Sequence, residues 1–154
     1  MSKFAYEPPF GVEQIKQIIP HRYPFLLVDG IEQFDEYFVH GYKNVKFDEE
    51  VFQGHFPGEP VYPGVLVVEL AAQVGACWIL SHREHLGKTA YLMSLDGVKF
   101  RKPVLPGCRL DVYGTITNLK SRTGRLDAKI QCGDTLVAEA GILFAFQNTV
   151  SGQG

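Results

Sequence analysis

The sequence predicts an α+β domain in which one long central helix is wrapped by a curved antiparallel β-sheet of about six strands. Three observations carry this expectation. Residues 64–80 are apolar almost all round, so a helix there must be enclosed by other elements. From residue 110 onward, apolar and polar residues alternate in three successive runs, the period of strands with one buried face. Turn signals at 106–107, 121–124 and 133–134 separate the runs, as neighbouring antiparallel strands require.

The elements follow in order. Residues 1–10, with Pro8 and Pro9, read as an N-terminal arm. Val12, Ile15, Ile18 and Ile19 take helical spacing after Gly11, and Pro20 stops that helix. Residues 25–28 form an apolar run suited to a buried strand; 31–35 continues it and 38–45 pairs with it. Residues 47–63 carry Gly54, Pro57, Gly58, Pro60 and Pro63, which punctuate any regular element.

Residues 64–86 read as one helix. Pro63 is tolerated at its start because the amide there is unpaired anyway, and Gly87 suits its C-terminal cap. The last turn, 81–85, is polar, so His82 and His85 are expected in solvent beside the negative helix end. Residues 90–100 supply a further strand. Leu110, Val112, Gly114 and Ile116 share one face of the next. Leu126, Ala128, Ile130 and Cys132 share a face of another, and Leu136, Ala138, Ala140, Ile142, Phe144 and Phe146 a face of the last. No pattern continues past 147. The chain thus divides into an arm (1–10), a single domain (11–146) and a flexible tail (147–154).

Composition narrows the function classes. Of 154 residues, 45% are apolar and 21% charged, and the net charge is −2, which gives no overall electrostatic case for nucleic acid. A membrane span needs about 20 apolar residues, whereas the longest apolar run is shorter and holds Glu69 and Gln73. The first residues lack a basic start followed by an apolar run, so no secretory leader is expected. Cys77, Cys108 and Cys132 are odd in number and far apart. They read as free thiols in a reducing, cytoplasmic compartment. No CxxC, GxSxG, GxGxxG or P-loop occurs, so no metal and no cofactor is expected.

Glu69 is the chemical anomaly, a carboxylate inside an apolar helix that must be paired or protonated. Val65, Glu69 and Gln73 lie at i, i+4 and i+8 on one face, so Gln73 can hydrogen-bond Glu69 and orient it. A desolvated carboxyl there suits general-acid work; a structural glutamate is the alternative. His55 lies in the sequence Gly54-His-Phe-Pro-Gly58, whose glycines and proline restrict the backbone. Histidine is the usual base near neutral pH, although a lone loop histidine is more often merely solvated. Gly64 opens the long helix, where unpaired amides and the positive dipole end can polarise a carbonyl. Lys99, Arg101 and Lys102, with Arg122 and Arg125, are read either as a solvated face or as a dock for an acidic partner.

These features combine with longer blocks. The segments Pro20-His-Arg-Tyr-Pro-Phe-Leu-Leu-Val-Asp29, Lys43-Asn-Val45, Gly54-His-Phe-Pro-Gly58 and Pro63-Gly-Val-Leu66 occupy the first half of the chain. Glu69, Ala72-Gln73, Lys99-Phe-Arg-Lys-Pro-Val104, Pro106-Gly107 and Val137-Ala-Glu-Ala140 follow in order. Together they resemble the (3R)-hydroxyacyl-[acyl-carrier-protein] dehydratase family of the FabZ type. The resemblance implies a hotdog fold and a homodimer joined through a continuous sheet, possible also as a trimer of dimers. It implies loss of water from a 3-hydroxyacyl thioester in fatty acid biosynthesis, with acyl carrier protein as partner and no cofactor. By position it makes His55 and Glu69 the catalytic pair, drawn from different protomers, and makes the Gly64 amide the carbonyl binder. Val65, Gln73, Tyr91 and Phe100 would contact substrate, and Lys99, Arg101 and Lys102 would dock the carrier. Gly30, Tyr62 and Leu70 depart from the family's usual residues; the last two bear on acyl chain length. The readings held beside dehydration are an isomerising dehydratase, a thioesterase on the same fold, and a non-catalytic acyl-thioester binder.

Overall fold

The computed structural model describes residues 2–148. A single seven-stranded antiparallel sheet curls around the long helix. In chain order the elements are β1 (Phe10–Gly11), α1 (Val12–Ile18), β2 (Gly30–Phe34), β3 (Phe38–Asn44), α2 (Gly64–Leu80), β4 (Lys88–Phe100), β5 (Arg109–Leu119), β6 (Thr123–Cys132) and β7 (Thr135–Asn148). Spatially the strands run β1-β2-β3-β5-β6-β7-β4. The strand beyond the expected six is the two-residue β1, which pairs Phe10 with Ile31.

The alternating runs became the inner face of the sheet. Leu110, Val112, Leu126, Ile130, Ile142 and Phe144 are buried in one core with Leu70, Val74 and Trp78 of α2. Close approach of helix and sheet depends on Gly75. A Cβ there would stand 2.8 Å from Leu126 Cδ2, inside van der Waals contact, so a side chain would force the layers apart. Gly30, where the family usually carries arginine, has the same physical basis. A Cβ on it would meet the Tyr42 ring at 2.5 Å, and that ring in turn carries the Arg109 guanidinium at 3.9 Å.

Four expectations are corrected. Residues 25–28 are not a strand. Leu27 and Val28 are buried, but the Leu27 N–H donates to Gln73 Oε1 at 2.8 Å, so a side chain of α2 takes the place of a neighbouring strand. The long helix ends at Leu80, not at residue 86. The Ser81 hydroxyl donates to Cys77 O and the Ala5 N–H to Ser81 O, which diverts the chain into a short 3-10 turn at Arg83–His85. His82 and His85 are therefore buried, not solvated. Phe4 and Trp78 pack on His82, and Phe146 packs on His85.

The fourth correction concerns the cysteines. Cys108 and Cys132 form a disulfide with Cα atoms 5.9 Å apart, and Cys77 is the buried free thiol. Sequence distance hid the pairing. The β5–β6 register sets Leu110 opposite Cys132, which brings Cys108 alongside.

The ends of the chain also differ from simple extensions. The N-terminal residues expected as an arm lie against the body: Phe4 bridges to His82 and the Arg83 N–H donates to Lys3 O. Gln147 and Asn148 continue β7, and the remainder of the expected tail, 149–154, lies outside the described residues. No described helix is long and apolar enough to cross a membrane.

Candidate active site

His55 sits in the tight loop that leads into α2. Its backbone N–H donates to Val51 O, and its own carbonyl accepts from the Val61 N–H, so the loop is closed on both sides of the ring. The imidazole Nδ1 lies 2.7 Å from Val61 O. A carbonyl only accepts, so Nδ1 carries the proton and Nε2 keeps its lone pair. The ring stacks on Phe56 at 3.9 Å. That loop fixes the orientation of the ring, and sequence reasoning had no signal for the acceptor six residues away.

The α2 N-terminus lies on the same cavity. Leu66 and Val67 N–H both donate to Pro63 O, whereas among the described residues no acceptor takes the Gly64 or Val65 N–H. These two amides are the orphan donors of a helix start. The Phe100 ring covers the glycine: a Cβ at position 64 would stand 2.8 Å from Phe100 Cε1. His55, Tyr62, Gly64, Val65, Phe100 and Val104 are among the residues that line a cavity of about 420 Å³. It holds an imidazole base, an open amide pair and apolar walls, the set needed to remove a proton from carbon next to a carbonyl.

Glu69 is not on that cavity. It lies one turn further along α2, where Gln73 Nε2 donates to its Oε1 at 3.0 Å and His21 Nε2 approaches the same oxygen at 3.6 Å. The hydrogen bond expected from Gln73 is thus present. Gln73 itself is nearly sealed from solvent, and its amide is fully used. Oε1 accepts from Leu27 N–H, while Nε2 donates to Phe25 O as well as to Glu69. These bonds hold the 25–28 segment and Glu69 in place.

The other candidates divide. Val65 is exposed and Phe100 half-exposed at the cavity. Tyr91 is on β4, exposed, and away from this cavity. Arg101 and Lys102 line the cavity rim, with Arg101 also paired to Glu139 at 2.8 Å. That guanidinium holds the Glu139 carboxyl below its ordinary value. Lys99 lies across the sheet from Glu139. Arg125 does not join a free basic patch, because it is bound to Asp96 at 2.6 Å and to Asp127 at 3.1 Å. Two features escaped the sequence reading. His21 stands beside Glu69, and the Tyr62 hydroxyl is buried without a partner among the described residues. Among the described residues no cluster of three or more His, Cys, Asp or Glu could hold a metal ion.

Comparison with known proteins identifies the family. Residues 19–141 match the model of the FabA-like domain family. The chain is 47% identical over 137 residues to a 3-hydroxyacyl-[acyl-carrier-protein] dehydratase FabZ of Clostridium botulinum, covering 87% of this chain and 96% of that protein. It is 47% identical over 139 residues to the FabZ of Caldicellulosiruptor saccharolyticus, covering 90% and 99%. Among solved structures, the dehydratase heterocomplex ApeI:P from Xenorhabdus doucetiae superposes with a TM-score of 0.76, 19% identity and 94% of each chain covered. A thioesterase from Haemophilus influenzae gives 0.68 at 18% identity, covering 99% and 100%. At such identities the structural likeness establishes the hotdog fold alone.

Proposed function

This chain belongs to the FabA-like domain family and within it to the FabZ-type dehydratases, and we propose the following chemistry for its site. The protein is a hydro-lyase acting in fatty acid biosynthesis on (3R)-hydroxyacyl chains held as thioesters on acyl carrier protein. His55 Nε2 takes a proton from C2. The electron pair moves toward the thioester carbonyl, whose oxygen accepts the Gly64 N–H. Glu69 gives its proton to the C3 hydroxyl, the C3–O bond breaks, water leaves and the trans-2 double bond forms. Proton return from the imidazolium to the carboxylate, through solvent, resets the site. The observation that carries this reading is the Nδ1–H donation to Val61 O, which leaves a free lone pair on Nε2 beside the open amides of α2.

The pair is completed by a second copy of the chain. Glu69 lies off the cavity that holds its own His55, so a carboxyl from elsewhere must reach it. Strand β4 is an edge of the sheet and exposes Tyr91, Leu92, Met93 and Leu95. A long, apolar, unpaired edge favours addition of another strand, and antiparallel pairing of β4 with its copy makes one continuous sheet. Tyr91 then stands at the seam, near substrate. Dimers of this kind can assemble in threes. Arg101 and Lys102 at the rim, with Lys99 behind them, suit an acidic carrier and its phosphate-bearing arm. The same reading places the enzyme in the cytoplasm with its carrier.

The test is hydration of crotonyl thioesters and dehydration of 3-hydroxyacyl thioesters of several lengths, on carrier protein and on coenzyme A. The expected product is the trans-2-enoyl thioester. Release of free thiol would make the protein a thioesterase, a cis-3 product an isomerising dehydratase, and binding without turnover a non-catalytic acyl sensor.

A further inference from the structure

His21 stands in the loop that follows α1, and that loop is held rigidly. The Arg22 guanidinium donates from Nη1 to Ile19 O at 3.0 Å and to His21 O at 2.6 Å, and from Nη2 to Lys16 O at 2.8 Å. Further along, Gln73 clamps Phe25 and Leu27 onto α2. The His21 ring stacks along Phe25 with an interplanar angle of 19°. Its backbone and its ring plane are thus both fixed before the imidazole nitrogens are considered.

The two nitrogens have different surroundings. Nε2 lies 3.6 Å from Glu69 Oε1, whereas Nδ1 is enclosed and has no hydrogen-bond partner among the described residues. A buried N–H without an acceptor is costlier than a buried lone pair in the same place. The proton therefore belongs on Nε2, directed at Glu69, and a doubly protonated ring is disfavoured because its Nδ1–H would be stranded. Burial lowers the His21 pKa, and the facing charges are Glu69 on α2, which opposes that, and Arg22, which adds to it. Both polar neighbours of Glu69, His21 and Gln73, approach the single oxygen Oε1. Among the described residues none bonds Oε2.

Resting on the catalytic role given above to Glu69, we propose that His21 is a positioning residue for it. With Gln73 it occupies Oε1 from two sides, fixes the carboxyl plane, and directs Oε2, with the transferable proton, toward the substrate hydroxyl. Neutral His21 leaves Glu69 free to carry that proton. Once protonated, His21 would strand its Nδ1–H and bring a positive charge against Oε1, disturbing the arrangement that the acid step needs.

The experiment compares His21→Phe, His21→Leu and His21→Gln in the assembled enzyme, with Glu69→Gln alongside. His21→Phe keeps the stack on Phe25 and loses the donor; kcat is expected to fall roughly tenfold, with KM within about twofold. His21→Leu repeats the test if the larger ring perturbs folding. His21→Gln returns an N–H at the position of Nε2 and is expected to recover most of kcat. The acid limb of the pH–rate profile becomes less steep in His21→Phe, because one of its ionisations is gone. Nitrogen-15 shifts of labelled histidine provide an arm independent of activity and are expected to show His21 protonated on Nε2. Wild-type kcat in His21→Phe beside an inactive Glu69→Gln overturns the positioning role alone. A loss that His21→Gln does not recover, an unchanged acid limb, or an Nδ1-protonated ring does the same. An active Glu69→Gln overturns the reading of the site itself.

Discussion

His55 Nδ1 is 2.7 Å from the carbonyl oxygen of Val61, a contact across a loop of six residues that sets which nitrogen of the ring is basic. It resembles the orienting partner of any histidine base, except that a backbone carbonyl takes the place of a carboxylate. The acceptor cannot be deleted by substitution, so its geometry is fixed by the chain. Removal of the ring is the direct probe. His55→Ala is expected to lower kcat on the order of 10²- to 10⁴-fold, with a far-ultraviolet circular dichroism spectrum like that of the parent. Retained turnover would assign the base elsewhere.

A site shared between protomers predicts complementation. His55→Ala and Glu69→Gln are each expected to be inactive. Co-refolded in equal amounts, half the dimers are mixed, and each mixed dimer contains one intact site of two. Activity of about a quarter of wild type is therefore expected by symmetry and counting. A mixture as inactive as its components would mean that both groups act within one chain.

Gly64 supplies an amide beneath the Phe100 ring. In Gly64→Ala the new Cβ would meet that ring at 2.8 Å, so either the ring or the helix start must move. The loss expected in kcat/KM is about tenfold, the scale of a displaced catalytic group. Phe100→Leu added to Gly64→Ala relieves the contact and is expected to return part of it. Steady-state kinetics of Gly64→Ala and of the double variant decide the matter.

Gln73 makes three hydrogen bonds from a buried side chain. Gln73→Leu strands the Leu27 N–H and the Phe25 carbonyl, at a cost of about 1–3 kcal/mol for an unsatisfied buried group. Urea unfolding is expected to show a midpoint lowered accordingly, together with reduced kcat as Glu69 loses one of its two polar neighbours. A stability equal to wild type would show that the 25–28 segment is held by burial alone.

Acid stability follows from the buried histidines. Desolvation by burial lowers the pKa of His21, His82 and His85 from 6.5. The unfolded chain therefore binds more protons than the folded one once the pH drops below 6.5, and stability rises with pH across that window. Above 6.5 this contribution is complete; it is lost as pH falls toward the lowered folded values. Asp96 and Glu139, lowered from 3.8 and 4.5 chiefly by hydrogen bonds from Arg125 and Arg101, act only in a separate window further down. Urea midpoints at pH 7.5, 6.5 and 5.5 are expected to decline over the last interval. A flat response there would contradict the burial of these rings.

Features that depend on local period or local chemistry were legible in the unfolded chain. Alternation along Leu110 to Ile116 and Leu126 to Cys132 marked strands with one buried face. The all-round apolar run of α2 marked an enclosed helix, and Glu69 stood out within it because a carboxylate there needs a partner. The i, i+4 spacing even indicated Gln73 as that partner. Contacts between residues far apart in the chain arose only with the folded arrangement. Gln73 closing on Leu27, Phe4 covering His82, Cys108 meeting Cys132 and His21 reaching Glu69 span from 24 to 78 positions. None has a period to betray it, because each depends on how the sheet curls round the helix and which loop then crosses it. The ring proton of His55 belongs with these despite its short span: the loop had to close before Val61 could become its acceptor.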